Sequence, residues 1–181
     1  MPSSSDRPVI AIDMDHVMAD TGAYLTDWVN DQFGKRFESE SFGTLRSLLS
    51  GTERAALMDL VTEGSVLGEL PVMDGAVEVI RALGERYTVV VATAAMEYPN
   101  TIPHKLRWLD AHFPFLDPQH FVFCGRKQVL SCDYLLDDSP KHFDGLPGQG
   151  VLYTAPHNHD VRGYDRVDDW DAVRRYFLEE R

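Results

Sequence analysis

Two pairs of aspartates stand where apolar runs end. Residues 13–20 read D-M-D-H-V-M-A-D, so that Asp13 and Asp15 follow the run VIAI, and Asp137 and Asp138 close YLL before Ser139-Pro140. In an extended chain, residues two apart point to the same side, which lets Asp13 and Asp15 face one point. If the two runs are neighbouring strands, up to four carboxylates converge, and they cannot stay ionised together without compensating cations. A hard divalent ion, most simply Mg²⁺, relieves that repulsion through oxygen ligands and leaves positions for water and phosphate. Thr93, which ends VVVAT, can offer a hydroxyl and adjacent backbone N–H groups to a phosphoryl group. Lys127, just past FVFC, brings positive charge. Together these residues point to metal-assisted chemistry on a phosphate.

Such a site needs strands that share one edge. Apolar runs at residues 9–15, 88–94, 121–124, 134–138 and 150–154 fit buried parallel strands. Between them, Ala76, Val77, Val79, Ile80 and Leu83 keep a helical face after Gly75, as do Leu106, Leu109 and Phe113 after Pro103. A last helix is expected over residues 170–178 with Asp168 or Asp169 as its N-cap. Strands alternating with helices give an α/β fold, a Rossmann-like parallel sheet flanked by helices, with ligands at the carboxyl ends of the strands. The connection from Asp20 to Thr88 far exceeds the ~12 residues that a crossover needs. Helical spacing at Tyr24, Leu25, Trp28 and Val29, at Leu45, Leu48 and Leu49, and at Ala56, Leu57, Leu60 and Val61 fills that excess. Residues 21–72 therefore read as a small helical cap, and residues 1–20 and 73–181 as the core domain.

The order DMDHVMAD, a strand ending in Thr93, Lys127 and LLDDSP resembles the haloacid dehalogenase-like (HAD) superfamily of phosphotransferases along the whole chain. More narrowly, GRKQVLSCDYLLDDSP, the helical insertion after the first motif and the tail LYTAPHN…RVDDW look like the 5′(3′)-deoxyribonucleotidase family. The resemblance implies that Asp13 is a nucleophile forming an aspartyl phosphate. It implies that Asp15 protonates the leaving nucleoside oxygen and then takes a proton from water. It also implies Mg²⁺ held by Asp13, the Asp15 backbone carbonyl and Asp138, with Asp137 as a supporting acid. Thr93, the backbone at Ala94 and Lys127 would hold the phosphoryl oxygens. The sequence departs from the family pattern at three places. His16 stands where a glycine is usual, Ala94 replaces a hydroxyl residue, and Thr21 occupies the place of an aromatic. Phe42, Phe37 or Trp28 of the cap could supply base stacking instead.

The rest of the chain bounds the function. At 181 residues it can bury roughly 70% of its unfolded surface and folds without a metal or disulfide staple. Seventeen Lys and Arg against 29 Asp and Glu leave a net charge of −12, which repels nucleic-acid polymers and anionic membranes. No apolar stretch of ~18 residues and no signal-peptide pattern at MPSSSDRP lead us to expect a cytoplasmic protein. Cys124 and Cys132 read as free thiols, and residues 157–160 (HNHD) as a polar loop rather than a metal cluster. Trp28, Trp108 and Trp170 read as packing residues, while His16 either lines the site or caps the following helix. The expected activity is hydrolysis of deoxyribonucleoside 5′-monophosphates, with 3′-monophosphates as a further class. The alternatives are a phosphatase for another small metabolite and a non-catalytic phosphate- or metal-binding module. Oligomeric state stays open, a homodimer included.

Overall fold

The computed structural model describes residues 7–179. Its frame is a six-stranded, all-parallel sheet of β1 (Val9–Ile12), β2 (Thr88–Thr93), β3 (Phe121–Phe123), β4 (Tyr134–Asp137), β5 (Gln149–Tyr153) and β6 (Asp165–Val167), in the order β3-β2-β1-β4-β5-β6. The chain leaves β1 for β2 on one side and reaches β4 on the other, so the order reverses at β1. A crevice forms at such a point because the connections diverge to opposite faces. β1 pairs with β4 through Ile10↔Tyr134, Ala11↔Leu135 and Ile12↔Leu136, and with β2 through Ile12↔Val91. This register brings the ends of three strands side by side.

The helices are α1 (Thr21–Phe33), α2 (Phe42–Leu48), α3 (Gly51–Glu63), α4 (Ala76–Arg86), α5 (Ile102–His112) and α6 (Trp170–Arg174). Local chemistry sets their ends. Asp20 Oδ1 accepts the Ala23 N–H at 3.0 Å, Ser41 Oγ accepts that of Thr44 at 3.2 Å, and Asp169 Oδ1 accepts that of Ala172 at 2.7 Å. Glycines 34 and 64 close α1 and α3 at φ values of +62° and +89°. The final helix is regular only to Arg174 and widens into a π-type turn over Arg175–Glu179.

Of three apolar clusters, a small one holds Ala11, Ala92, Leu130, Cys132 and Leu135, and two larger ones divide the rest of the described residues. One contains Ile10, Ile12, Ile80, Val91, Leu136, Val151 and Phe177 and joins sheet to flanking helices. The other, made of Leu25, Val29, Leu45, Leu49, Leu57 and Val61, lies entirely within α1, α2, α3 and the residue after α2. Trp108 ties the segment after α3 to α5 by donating its indole N–H to the Leu70 carbonyl at 2.7 Å. Trp170 donates to the Val17 carbonyl at 2.8 Å and thereby anchors the loop after β1. Both indoles are packing residues, as their spacing suggests.

Two strand expectations are corrected. Regular pairing in β1 stops at Ile12, because residues 14–19 fold into turns in which Met18 and Ala19 donate to the Met14 carbonyl at 2.9 Å. Asp15 is therefore presented by a turn and not by an extended strand. β6 was not anticipated. Its sequence DRV is short and polar, and it is extended because Val151↔Asp165 and Tyr153↔Val167 pair it to β5 at the sheet edge.

Candidate active site

Asp13 is held where β1 ends. Its backbone N–H donates to the Leu136 carbonyl at 2.9 Å, and its Oδ1 accepts the Met14 N–H at 2.8 Å. Asp137, the last residue of β4, accepts the Ser139 N–H on Oδ1 at 2.8 Å, which closes a tight turn and projects Asp138 forward. Lys127 is completely buried between them, with its ammonium 2.6 Å from both Asp13 Oδ1 and Asp137 Oδ2. One carboxylate oxygen each from Asp13, Asp137 and Asp138 lies within 4.8 Å of the others.

The electrostatics of this cluster favour a further cation. Burial, reinforced by Asp137 and Asp15 and opposed by Lys127, pushes the Asp13 carboxyl up to about 6. Burial and the nearby Asp13 and Asp137 raise Asp138 well above the ordinary carboxylate range. Although burial opposes its charge, Asp13 and Asp137 keep the Lys127 ammonium more firmly protonated than usual. Three carboxylates thus share a single buried ammonium. Hard oxygen donors in this number and spacing suit Mg²⁺, which binds through one or two carboxylates and keeps positions for water and phosphate.

Asp13 and Asp138 of this cluster floor a cavity of about 600 Å³ between the carboxyl ends of the strands and helices α1, α2 and α3, within the size range of small-molecule sites. Asp13, Asp15, Ala94 and Asp138 line it, whereas Thr93, Lys127 and Asp137 are buried beneath its wall. Asp15 stands beside the cluster with its side chain a third exposed. Burial would raise its carboxyl, but the Lys105 ammonium and hydrogen bonds from Lys105 and Thr21 outweigh that and hold it below the ordinary range. Across the cavity, Phe42 of α2 and Tyr98 from the turn after β2 meet edge to face, with ring centroids 6.2 Å apart. Phe37 is not part of this wall: its backbone exchanges hydrogen bonds with the Asn30 amide at 2.9 Å, and its ring packs on the cap cluster.

His16 lines the cavity instead of capping α1. It is the one non-glycine residue among those described with a left-handed backbone, at φ +60°. For an ordinary side chain that conformation costs about 1 kcal/mol or more, which explains why glycine suits the position. Its imidazole fits only because Gly22 has no side chain: a Cβ there would come within 3.1 Å of the ring and 3.0 Å of the Glu40 carbonyl. The ring also contacts His157 edge-on at 5.7 Å. The loop at 157–160 supports the site without forming a metal cluster among the described residues. His157 Nε2 lies 3.2 Å from the Asp138 carbonyl and 3.5 Å from its Oδ2, while Asn158 Nδ2 donates to the same carbonyl at 2.8 Å. Burial lowers the proton affinity of both imidazoles.

Residues 7–181 match the family described as 5′ nucleotidase, deoxy (pyrimidine), cytosolic type C protein (NT5C). The chain belongs to this family. It is 41% identical over 173 residues to a Staphylococcus epidermidis relative that carries a 5′(3′)-deoxyribonucleotidase name, covering 94% of this chain and 96% of that one. It is 30% identical over 178 residues to the 5′(3′)-deoxyribonucleotidase of Bacillus subtilis, covering 95% and 99%. Solved folds agree. YfnB of Bacillus subtilis, a HAD-hydrolase by name and bound to magnesium, superposes with a TM-score of 0.60 at 12% identity over 94% of this chain and 98% of that one. A hydrolase from Pseudomonas syringae gives 0.57 at 14% identity, over 96% and 99%. As a deoxyribonucleotidase-family member the chain is a phosphomonoester hydrolase of HAD-like fold.

Two residues of the site, Lys105 and Tyr98, belong to none of the sequence motifs and reach the cavity through packing between distant segments, and Thr21, marked by its motif place only as a missing aromatic, contributes a hydroxyl to Asp15. A helix lysine reads as a solvated charge until its surroundings are known, and no local signal marks Lys105 as buried.

Proposed function

We propose that the chain is a Mg²⁺-dependent phosphatase of deoxyribonucleoside 5′-monophosphates, with 3′-monophosphates as a further class, working through an aspartyl phosphate on Asp13. The observation that carries this reading is the trio Asp13, Asp137 and Asp138, of which Asp13 and Asp138 line a cavity with an aromatic wall and Asp137 lies buried behind them. In this reading residues 21–72 act as the cap over a core of residues 1–20 and 73–181, and the protein works in the cytoplasm on a small soluble substrate.

Asp13 attacks phosphorus through Oδ2, since Oδ1 is taken by the Met14 N–H and Lys127. Lys127 holds that carboxylate against rotation and offsets its charge, so it supports phosphoryl binding from beneath the site. The backbone at Ala94, which lines the cavity, offers hydrogen bonds to the phosphoryl oxygens, with Thr93 buried behind it. Asp15 gives a proton to the leaving ester oxygen and takes one from water in the second half-reaction. Asp13, Asp138 and the Asp15 carbonyl would hold Mg²⁺, with Asp137 in support. Bound there, the ion supplies charge neutralisation for the phosphoryl group and the attacking carboxylate. Phe42 and Tyr98 offer the aromatic surface for a base that Thr21 does not.

The test is phosphate release from dUMP, dTMP, dGMP, their ribose counterparts and glucose 6-phosphate, with Mg²⁺ and after exhaustive chelation. The expected result is Mg²⁺-dependent turnover with nucleotides preferred. Turnover undiminished without metal contradicts the carboxylate site, and a sugar phosphate preferred by about tenfold, ~1.4 kcal/mol of transition-state binding, favours a metabolite phosphatase.

A further inference from the structure

Proton transfer by Asp15 requires its carboxyl to point at one oxygen of the substrate, yet the residue sits in a turn beyond the regular strand. A carboxylate so placed rotates about two side-chain bonds unless something holds it. Here both oxygens are held. Oδ1 accepts the Thr21 hydroxyl at 3.0 Å. Oδ2 is paired with the ammonium of Lys105, whose remaining neighbour is Thr93 Oγ1 at 3.3 Å. Lys105 is 2% exposed and Thr21 5% exposed, so both donors are shielded from water although the Asp15 side chain itself is a third exposed. The two come from unrelated elements. Thr21 opens α1, fixed by its own N–H to the Ala19 carbonyl at 2.9 Å, and Lys105 reaches in from α5, ninety residues from its partner in sequence.

We propose that Thr21 and Lys105 form a two-point clamp that orients the Asp15 carboxyl toward the leaving oxygen, which makes Thr21 a positioning residue and not part of the base pocket. The inference rests on the phosphatase reading given above. An aromatic ring at position 21, where the resemblance leads one to expect it, has no hydroxyl to give Oδ1 unless it is tyrosine, whose hydroxyl lies far from the backbone. A threonine at the first turn of α1 puts the donor close to Asp15 at the expense of stacking. The aromatic surface of the cavity is then Phe42 and Tyr98.

The chemistry says where the clamp matters. In the first half-reaction an Asp13 oxygen bonds phosphorus, the ester O–P bond breaks with its electron pair on the leaving oxygen, and that oxygen takes the Asp15 proton. In the second, a water oxygen bonds phosphorus, the Asp13–phosphate bond breaks with its pair returning to Asp13, and Asp15 takes the water proton. A nucleoside alkoxide leaves poorly without that first proton. A nitrophenolate leaves without it, so a misdirected Asp15 costs far less on the aryl ester in the first half-reaction, the one that kcat/KM reports, whereas the second is common to both esters.

The experiment compares the full-length wild type with Thr21→Val, which keeps the shape and removes the donor, and with Thr21→Ser, which keeps it. Steady-state kcat and KM are measured with Mg²⁺ on dUMP and on p-nitrophenyl phosphate, with melting temperatures alongside. The expected result is a kcat/KM on dUMP reduced by about tenfold or more in Thr21→Val, a kcat/KM loss on the aryl ester several times smaller, and recovery by serine. Lys105→Gln, and Thr21→Ala should valine not fold, carry the same signature. Equal losses of kcat/KM on both esters, no loss on dUMP, or a serine variant as slow as the valine would overturn the clamp. A wild type that turns over neither ester overturns the phosphatase reading instead.

Discussion

At the scale of single residues, the site is governed by charge in a dry environment. Lys127 is completely buried between two carboxylates, so Lys127→Met should leave Asp13 and Asp137 facing each other uncompensated. Breaking one side of such a network typically costs about 3–5 kcal/mol, and urea unfolding of the metal-free variant should report that loss. A destabilisation below about 1 kcal/mol would mean that the carboxylates take up protons instead. Asp13→Asn removes the nucleophile and should prevent any acid-stable phosphoenzyme, with turnover falling by at least ~10³-fold. Asp15→Asn should cost ~10²–10⁴-fold and still permit phosphorylation of Asp13 by an aryl phosphate. Label found on any residue other than Asp13 would contradict the covalent route.

At the scale of elements, α2 and the turn after β2 have one aromatic each to offer, and they meet across the cavity. Base–aromatic stacking is worth ~1–3 kcal/mol per base, so Tyr98→Ala or Phe42→Ala should raise KM for nucleotides by roughly 5- to 150-fold while leaving p-nitrophenyl phosphate little changed. Phe37→Ala should do the reverse. It packs inside the cap and should lower the melting temperature with KM for dUMP unchanged. Leu57, fully buried in the same cap cluster, is the stronger stability probe: Leu57→Ala should cost about 2–5 kcal/mol through lost burial and the cavity left behind. If Phe37→Ala raised KM as much as Phe42→Ala, the aromatic wall would have been assigned to the wrong residue.

At the scale of the whole molecule, metal, protons and folding compete for the same carboxylates. The Asp13 carboxyl titrates at about 6 in the folded chain against 3.8 ordinarily, so between these values the native state holds more protons than the unfolded one. The proton therefore stabilises the metal-free fold at acid pH, and that contribution is lost as pH rises through about 6. Metal binding needs the ionised form and displaces the proton. The melting-temperature increment produced by saturating Mg²⁺ should consequently be small near pH 5 and grow toward about pH 7.5. An increment independent of pH, or one that shrinks as pH rises, would place the metal away from Asp13. The net charge of −12 acts in the same direction, since a bound divalent cation relieves self-repulsion at the one place where it is most concentrated.

The amino-acid sequence alone determined the alternation of strands and helices, the helical insertion after Asp20 and the acidic ends of β1 and β4. Hydrophobic periodicity and strand-end position are local properties, readable without knowing what packs against what. It also identified His16, Ala94 and Thr21 as unusual, because a motif defines which residue type belongs at each place. Tertiary structure decided the rest. That β1 lies between β2 and β4 is what brings Asp13 to Asp137 and Asp138, and strand order is a long-range choice. β6 exists only through its edge pairing, and the sequence DRV carries no strand period of its own. Lys105 on a helix and Lys127 in a loop look alike as letters, and both are buried only because distant carboxylates await them. Phe42 and Tyr98 meet because α2 packs beside the turn after β2, whereas Phe37, equally aromatic and five residues from Phe42, is tied to Asn30 of α1. Such pairings join segments tens of residues apart, where the burial that makes an ion pair or an aromatic wall matter is a property of the assembled fold.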